Sequence, residues 1–163
     1  MTNRSKPYIV LAMNEKNKKI SSGELDEKVQ WFINLCRKKG LKVTPQRVAV
    51  CRELVGSNKH PSAEKLHSKV KKRFPSISLD TANRTLLMLA EIGAAFVVEG
   101  SGGTRRFDGG MENHQHFRCV KCYEIIDFHH KPFDEIEVPR SVCKKCKILR
   151  KTVYLEGICD SCW

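Results

Sequence analysis

Six of the eight cysteines form three C-x-x-C pairs: Cys119/Cys122, Cys143/Cys146 and Cys159/Cys162. The two-residue spacing lets both sulfurs of a pair reach one metal ion, and four thiolates from two pairs make a closed tetrahedral zinc site. The first and second pairs are separated by 20 residues, and the first and third by 36. Both spacings are compatible with one ion. The sequence therefore predicts a zinc site but leaves its second pair open.

A second cluster contains imidazole and carboxylate. His114 and His116 stand two residues apart in an alternating segment, with Asp108 before them and Asp127 after. Side chains at positions i and i+2 of a strand share a face, so both imidazoles can bind one ion. Imidazole with carboxylate suits Fe(II), Mn(II) or Zn(II). The alternative is that both histidines are surface residues.

The net charge of +12 is unevenly distributed along the 163 residues. Residues 1–100 carry 19 basic and 9 acidic side chains, and residues 101–163 carry 11 and 9. A basic first half indicates a nucleic-acid-binding module joined to a second unit. The sequence contains no run of eighteen apolar residues and no signal-peptide cleavage pattern, so we expect a cytoplasmic protein without a membrane span.

Four helices are predicted in the first half. Apolar residues recur at helical spacing from Leu25, and Gly40 follows a basic last turn, as is typical of a helix end. Thr44 and Ser78 are candidate N-caps of two further helices, and a helix between them is predicted to begin at Ser62. The stripe on the fourth helix includes an apolar residue in its first turn, Leu79, and this helix is expected to end at Gly93.

A basic hairpin is predicted after these helices. Two short strands, residues 95–99 and 104–107, flank a glycine-rich turn at residues 100–103. Four helices followed by such a hairpin describe a winged helix-turn-helix, whose fourth helix enters the major groove while the wing contacts phosphate. The candidate DNA contacts on the helix and the wing are Thr81, Asn83, Arg84, Arg105 and Arg106.

The sequence thus predicts an α+β protein in three parts. Residues 1–24 form a basic arm, residues 25–108 a winged-helix DNA-binding domain with a hinge, and residues 109–163 a small metal-binding unit of helices and strands. Strands are expected at residues 124–128 and 148–156 because apolar residues cluster there.

Several motifs together resemble those of the ferric uptake regulator family. They stand in family order and spacing from about Leu25 to Trp163. The motifs are Gly40-Leu-Lys-Val-Thr-Pro-Gln-Arg47, His60-Pro-Ser-Ala-Glu64, Ser78-Leu-Asp-Thr81, Arg106-Phe-Asp108, His114-x-His116-Phe-Arg-Cys119-x-x-Cys122 and Tyr154-Leu-Glu-Gly-Ile-Cys159-x-x-Cys162.

The resemblance implies a homodimeric, metal-dependent repressor that binds a palindromic operator in double-stranded DNA. Its winged helix would be followed by an α/β dimerisation domain. By resemblance, the structural zinc ligands are Cys119, Cys122, Cys159 and Cys162. By the same resemblance, the regulatory Fe(II) or Mn(II) ligands are His60, Asp108, His114, His116 and Asp127.

The sequence is more similar to the peroxide-sensing branch of this family than to the iron-sensing branch. Asp127 stands where iron-uptake regulators more often have glutamate, and Asn113, Gln115 and Lys151 occupy positions of an additional iron-branch site. In the peroxide branch, bound Fe(II) reacts with hydrogen peroxide and a ligand histidine is oxidised, here His60 or His114. Such a site is consumed, so we do not expect an enzyme. Iron-responsive repression is the alternative.

Three features depart from the family pattern. The recognition helix reads Thr81-Ala-Asn-Arg84 where relatives have a tyrosine, and Asn83 is able to bond adenine instead. Pro139 is expected to shorten a helix. The extra pair Cys143/Cys146 is a redox switch, an alternative zinc ligand set or a pair of surface thiols.

Two other classes of protein compete with this interpretation. A thiol oxidoreductase would use a C-x-x-C pair, usually within a βαβ pattern, and no such pattern precedes these pairs. A zinc-ribbon RNA-binding module would leave the histidine and aspartate cluster unexplained.

Overall fold

The computed structural model describes residues 20–57, 59–98, 104–110, 112–148 and 151–163. Residues 1–19 of the predicted arm and the predicted glycine turn at 100–103 lie outside the described residues.

Four helices form the first half of the described chain: α1 (Ser22–Lys38), α2 (Pro45–Val55), α3 (Ala63–Lys71) and α4 (Leu79–Glu91). The predicted caps Thr44 and Ser78 are confirmed, since each side chain accepts a backbone N–H three residues ahead. Ser62, predicted as the start of a helix, caps α3 in the same way, so the helix begins one residue later. The first helix begins inside the segment that was predicted as the arm, residues 1–24. Ser21 and Glu24 form a reciprocal capping box, so α1 already begins at Ser22.

Apolar side chains from all four helices meet in one core, which includes Phe32, Leu54, Leu66, Leu86 and Leu89. One residue departs from the predicted stripe. Leu79 is 41% exposed because it lies in the first turn of α4, where it lines a groove instead of facing the core.

The predicted hairpin consists of β1 (Phe96–Val98) and β2 (Arg106–Asp108), which pair antiparallel. Phe107 is fully buried and anchors β2 in the helical core. The chain then passes tightly against α2, since a Cβ on Gly109 would lie 3.0 Å from the Val55 Cα. These elements confirm the winged-helix fold.

The second half contains a three-stranded sheet of β3 (Gln115–Cys119), β4 (Ile125–Phe128) and β5 (Tyr154–Gly157). β3 is central and pairs antiparallel with β4 and parallel with β5. The strand predicted from residue 148 begins only at Tyr154. The overall α+β fold is confirmed.

Two short helices, α5 (Lys131–Asp134) and α6 (Arg140–Cys143), lie between β4 and β5. Pro139 is the N-cap residue of α6. The expected interruption of the helical segment therefore occurs. The proline stands just before the second short helix, where its missing N–H removes no helical hydrogen bond. Within the described residues, the helices are all too short or too polar to span a bilayer.

Candidate metal centres

Parallel pairing of β3 with β5 brings two C-x-x-C pairs together. Cys119 ends β3 and is paired with Gly157 of β5, so the turns that follow both strands lie at the same edge of the sheet. The four sulfurs of Cys119, Cys122, Cys159 and Cys162 lie within 4.8 Å of one another. The structure thus joins the first and third pairs, and the exposed Cys143 and Cys146 lie outside this cluster.

Backbone N–H groups favour a thiolate at Cys119. The amides of Cys122 and Cys159 donate to its Sγ over 3.5 and 3.4 Å. These hydrogen bonds lower the pKa of the Cys119 thiol to about 6. Hydrogen bonds with Cys159 and Cys122 raise the pKa of Cys162 to about 12, so a metal ion bound here would displace protons.

A second cluster lies between the two halves of the molecule. His60 precedes α3, Asp108 ends β2, and His114 and His116 lie before and within β3. Their ligand atoms lie within 4.8 Å of one another, and all four side chains are buried. Asp127 of β4, the register partner of His116, completes the set predicted from the sequence.

The five side chains converge on a small volume. The Nε2 atoms of His114 and His116 are 3.1 Å apart, and the Asp108 Oδ2 atom lies 3.0 Å from His114 Nε2 and 3.5 Å from His116 Nε2. The Asp127 Oδ1 atom lies 2.9 Å from His60 Nε2 and 3.5 Å from His116 Nε2. Three imidazoles and two carboxylates therefore face one another at distances that a shared ion spans.

His60 supports a ligand role by its burial and its lack of hydrogen bonds. Its ring is 2% exposed, and neither ring nitrogen makes a hydrogen bond within the described residues, despite the short approach to Asp127. Its backbone has φ +43°, which is rare for a residue with a side chain. A buried polar atom without a partner is costly, and a cation at the centre of the cluster would satisfy His60 Nε2, the ring nitrogen that faces Asp127. The residues present therefore fit a divalent ion of the Fe(II), Mn(II) or Zn(II) type.

Asp108 and His114 interact strongly. Burial raises the pKa of Asp108, but the imidazoles of His114 and His116 outweigh this effect and hold the pKa well below its usual range. Burial lowers the pKa of His114, but the hydrogen bond and the negative charge of the Asp108 carboxylate outweigh burial and raise the pKa to about 9. Asp108 is thus a carboxylate, the charge state needed for binding a cation.

Two supporting groups were missed in the sequence. The carbonyl of Glu112 lies 2.9 Å from His114 Nδ1 and orients the ring. A Cβ on Gly110 would lie 2.7 Å from His114 Cε1. The Glu112 group is a backbone carbonyl, which every residue has, and Gly110 contributes by having no side chain. The amino-acid type at these positions therefore does not indicate either role. The spacing Asp108-x-Gly110 was the only available hint.

Three of the five predicted DNA contacts lie on α4. Thr81, Asn83 and Arg84 lie on α4, where Arg84 pairs with Asp80 over 2.9 Å, and Asn83 lines a groove together with Arg105. Arg106 differs from the other four. It is half-buried, and its Nη1 donates to the carbonyl of His60 over 3.3 Å.

Two of the three positions that the resemblance assigns to the additional iron-branch site, Gln115 and Lys151, make other interactions. The Gln115 amide donates to Asp134 Oδ1 over 2.7 Å, and the Lys151 ammonium donates to the carbonyls of Asp134 and Ile136. A protein cation is therefore already bound at this place.

The fold and the two clusters define a winged-helix protein with a second, metal-binding unit. The family model of the ferric uptake regulator family matches residues 38–156. The chain therefore belongs to the ferric uptake regulator family, a family of regulators.

Individual relatives give the same result. The chain is 31% identical over 138 residues to the peroxide-responsive repressor PerR of Staphylococcus epidermidis, covering 85% of this chain and 92% of the relative. Its structure is similar to the Campylobacter jejuni peroxide stress regulator, with TM-score 0.62, 29% identity and 80% and 98% coverage. The Helicobacter pylori ferric uptake regulator Fur, with TM-score 0.69, 24% identity and 90% and 97% coverage, shares the fold.

Proposed function

We propose that this chain is a homodimeric repressor that binds a palindromic operator in a manner that depends on a divalent metal. One observation carries the proposal: His60 and Asp108 of the winged-helix half converge with His114, His116 and Asp127 of the sheet half. Residues from both halves that ligate one ion hold the halves at a fixed angle. That angle sets the spacing of the two α4 helices in a dimer, and half-site spacing is a geometric requirement for operator binding.

The four-cysteine cluster is proposed as the structural zinc site. Cys119, Cys122, Cys159 and Cys162 supply four sulfur ligands, the donor set of closed structural zinc sites. They join the ends of β3 and β5 and thereby stabilise the sheet. We place the dimer interface in this half of the molecule, residues 109–163, and the regulator in the cytoplasm.

DNA recognition is assigned to the face of α4 and the wing. Asn83 and Arg105 line one groove, and Thr81 and Arg84 lie on the same helix. Asn83 is suited to adenine, whereas basic side chains make phosphate contacts that hold the protein on the duplex.

The finer proposal is that the signal is hydrogen peroxide. The similarity to peroxide-responsive repressors and the aspartate at position 127 support it. Fe(II), when bound, supplies the reactivity toward peroxide that ends in oxidation of a ligand histidine. His60 and His114 are the two candidates, and loss of either as a ligand weakens the connection that the ion makes between the two halves. We therefore propose a sensor that is consumed by its signal and has no catalytic turnover.

The test loads zinc-replete protein with Fe(II), adds a slight excess of hydrogen peroxide and maps peptide masses. We expect one added oxygen on His60 or His114, which is absent from the Mn(II)-loaded control. Unmodified histidines with intact cysteines would instead support iron sensing. Oxidation confined to Cys143 and Cys146 would make the extra pair the switch and overturn this assignment.

A matched variant tests the role of Asp127. Asp127→Glu keeps the charge and the carboxylate but adds one methylene to the side chain. We expect this variant to bind Fe(II) and to show slower histidine oxidation than the wild-type protein. Equal oxidation rates would show that the aspartate does not determine peroxide sensitivity.

A further inference from the structure

We propose that Arg106 is a positioning residue that couples the candidate regulatory metal site to the wing, and that it does not contact DNA. The inference rests on the proposed function for the ligand role of His60 and Asp108. It differs from our sequence-based interpretation, in which Arg105 and Arg106 were both candidate DNA contacts.

The wing strand is directly bonded to the segment that carries His60. Arg106 Nη1 donates to the His60 carbonyl over 3.3 Å, and the Phe107 amide donates to the Pro61 carbonyl over 3.1 Å. The next residue of β2, Asp108, lies in the metal cluster. Three consecutive residues of β2 therefore connect the wing with the two ligands that the winged-helix half contributes.

Two neighbouring arginines at the start of the wing strand have different environments. Arg105, which precedes β2, is exposed and lines the groove beside Asn83. Arg106, the first residue of β2, is half-buried and directed toward His60. Arg105 therefore lies on the side proposed to face DNA, and Arg106 lies on the side of the metal cluster.

The conformation of His60 makes this bond sensitive to ligation. The residue has φ +43°, a conformation that residues with a side chain rarely adopt and that persists only where surrounding contacts hold it. Fixing the ring on a metal ion also fixes the carbonyl that receives the Arg106 guanidinium. Arg106 in turn fixes β2, and β2 positions Arg105 over the groove.

The experiment measures coupling between metal and DNA in the full chain with zinc bound. Mn(II) is the probe because it avoids oxidation, and the DNA is a palindromic duplex selected from a random pool by Mn(II)-loaded wild-type protein. Duplex affinity is measured by fluorescence anisotropy with and without Mn(II) at two salt concentrations, for wild type, Arg106→Gln, Arg106→Lys and Arg105→Gln.

Arg106→Gln is expected to leave metal-free DNA affinity and its salt dependence unchanged, and to reduce the Mn(II)-induced gain by about tenfold, within the usual range of coupling between sites. Arg106→Lys, which retains a donor, should recover part of the gain. The control Arg105→Gln should lower affinity in both metal states and reduce the salt dependence, as expected for a lost phosphate contact.

A second measurement does not require DNA. Hydrogen exchange at the Phe107 amide should slow when Mn(II) binds the wild-type protein, and this slowing should be lost in Arg106→Gln. If wild type shows no Mn(II) effect on DNA binding, the proposed function fails, and hydrogen exchange still tests the Arg106 connection separately.

Two outcomes would overturn the inference. One is that Arg106→Gln weakens DNA binding equally in both metal states with a reduced salt dependence, which would make it a phosphate contact. The other is that Arg106→Gln keeps the wild-type Mn(II)-induced gain in DNA affinity and the wild-type slowing of hydrogen exchange at the Phe107 amide. If Arg106→Gln does not fold, Arg106→Lys decides between these outcomes by the same two measurements.

Discussion

At the residue scale, the candidate regulatory site depends on groups that are not ligands. Gly110 lies against the His114 ring, and its amide donates to Asp108 Oδ1 over 2.7 Å. The Glu112 carbonyl faces the adjacent ring atom, Nδ1. Ring orientation is thus set by the backbone between β2 and β3, which makes the spacing from Asp108 to His114 as important as the residue types.

Gly110→Ala is expected to weaken metal binding. Its Cβ would lie 2.7 Å from His114 Cε1, so the ring must move, and a displaced ligand costs about tenfold in affinity by analogy with loss of supporting contacts. Mn(II) affinity measured by competition with a chelator provides the test. Gly23→Ala is the control because a Cβ there meets no atom within 4 Å. Equal affinities for Gly110→Ala and wild type would contradict this role.

Cysteine reactivity is expected to follow environment. Burial raises the pKa of Cys51 to about 12 and raises the pKa of Cys36, so both stay protonated at pH 8, whereas Cys143 and Cys146 are exposed. Alkylation of the zinc-loaded protein at pH 8, read by peptide mass, should label only the exposed pair rapidly. Rapid labelling of Cys122 before chelation would argue against a thiolate zinc site.

At the scale of elements, the caps determine where the helices begin. Ser78 accepts the Thr81 amide over 3.0 Å, and its hydroxyl lies 2.9 Å from the Thr81 hydroxyl. The cap thus orders the first turn of α4, whose next turn carries Asn83. A local hydrogen bond therefore contributes both to helix stability and to the position of the proposed DNA contacts.

Ser78→Ala should destabilise the protein by about 1 kcal/mol, the usual loss for a serine N-cap. Urea denaturation measures this change in the free energy of unfolding. Ser68→Ala is the matched control, since that serine lies on the exposed face of α3 and donates only to the Glu64 carbonyl. Equal losses in both variants would show that capping is not the cause.

At the scale of the whole molecule, the sheet edge joins β3, β5 and the four-cysteine cluster. Cys119 and Cys159 are 40 residues apart in the chain, yet the Cys159 amide donates to the Cys119 sulfur. A metal ion on these sulfurs therefore closes a long loop and stabilises the unit as a whole, because structural zinc binding contributes directly to folding free energy.

Cys119→Ser is expected to lose zinc and the dimer. Metal analysis and light scattering measure both properties, and Cys143→Ser, outside the cluster, should retain both. A thiol oxidoreductase would behave differently, because the Cys119 variant would remain folded and dimeric while losing only redox activity.

Much of the winged helix and the pairs of cysteines could be predicted because their signals are local, whereas His60 joined the regulatory set only through the resemblance to the family. Apolar periodicity, caps and C-x-x-C spacing act over a few residues. Predictions failed where local signals end: Leu79 begins α4 and escapes the core, and the strand expected from residue 148 starts at Tyr154. Both errors concern element ends, where neighbouring elements decide which face is covered.

The sequence by itself determined the element types, the basic first half and the residues able to bind metal. The tertiary structure decided that the first C-x-x-C pair meets the third, through the parallel pairing of β3 with β5. It also decided that Arg106 bonds to His60, 46 residues away, while Arg105 faces the groove. Local propensities cannot specify such pairings, because their free energy comes from contacts between distant segments that form only when the sheet and helices pack together.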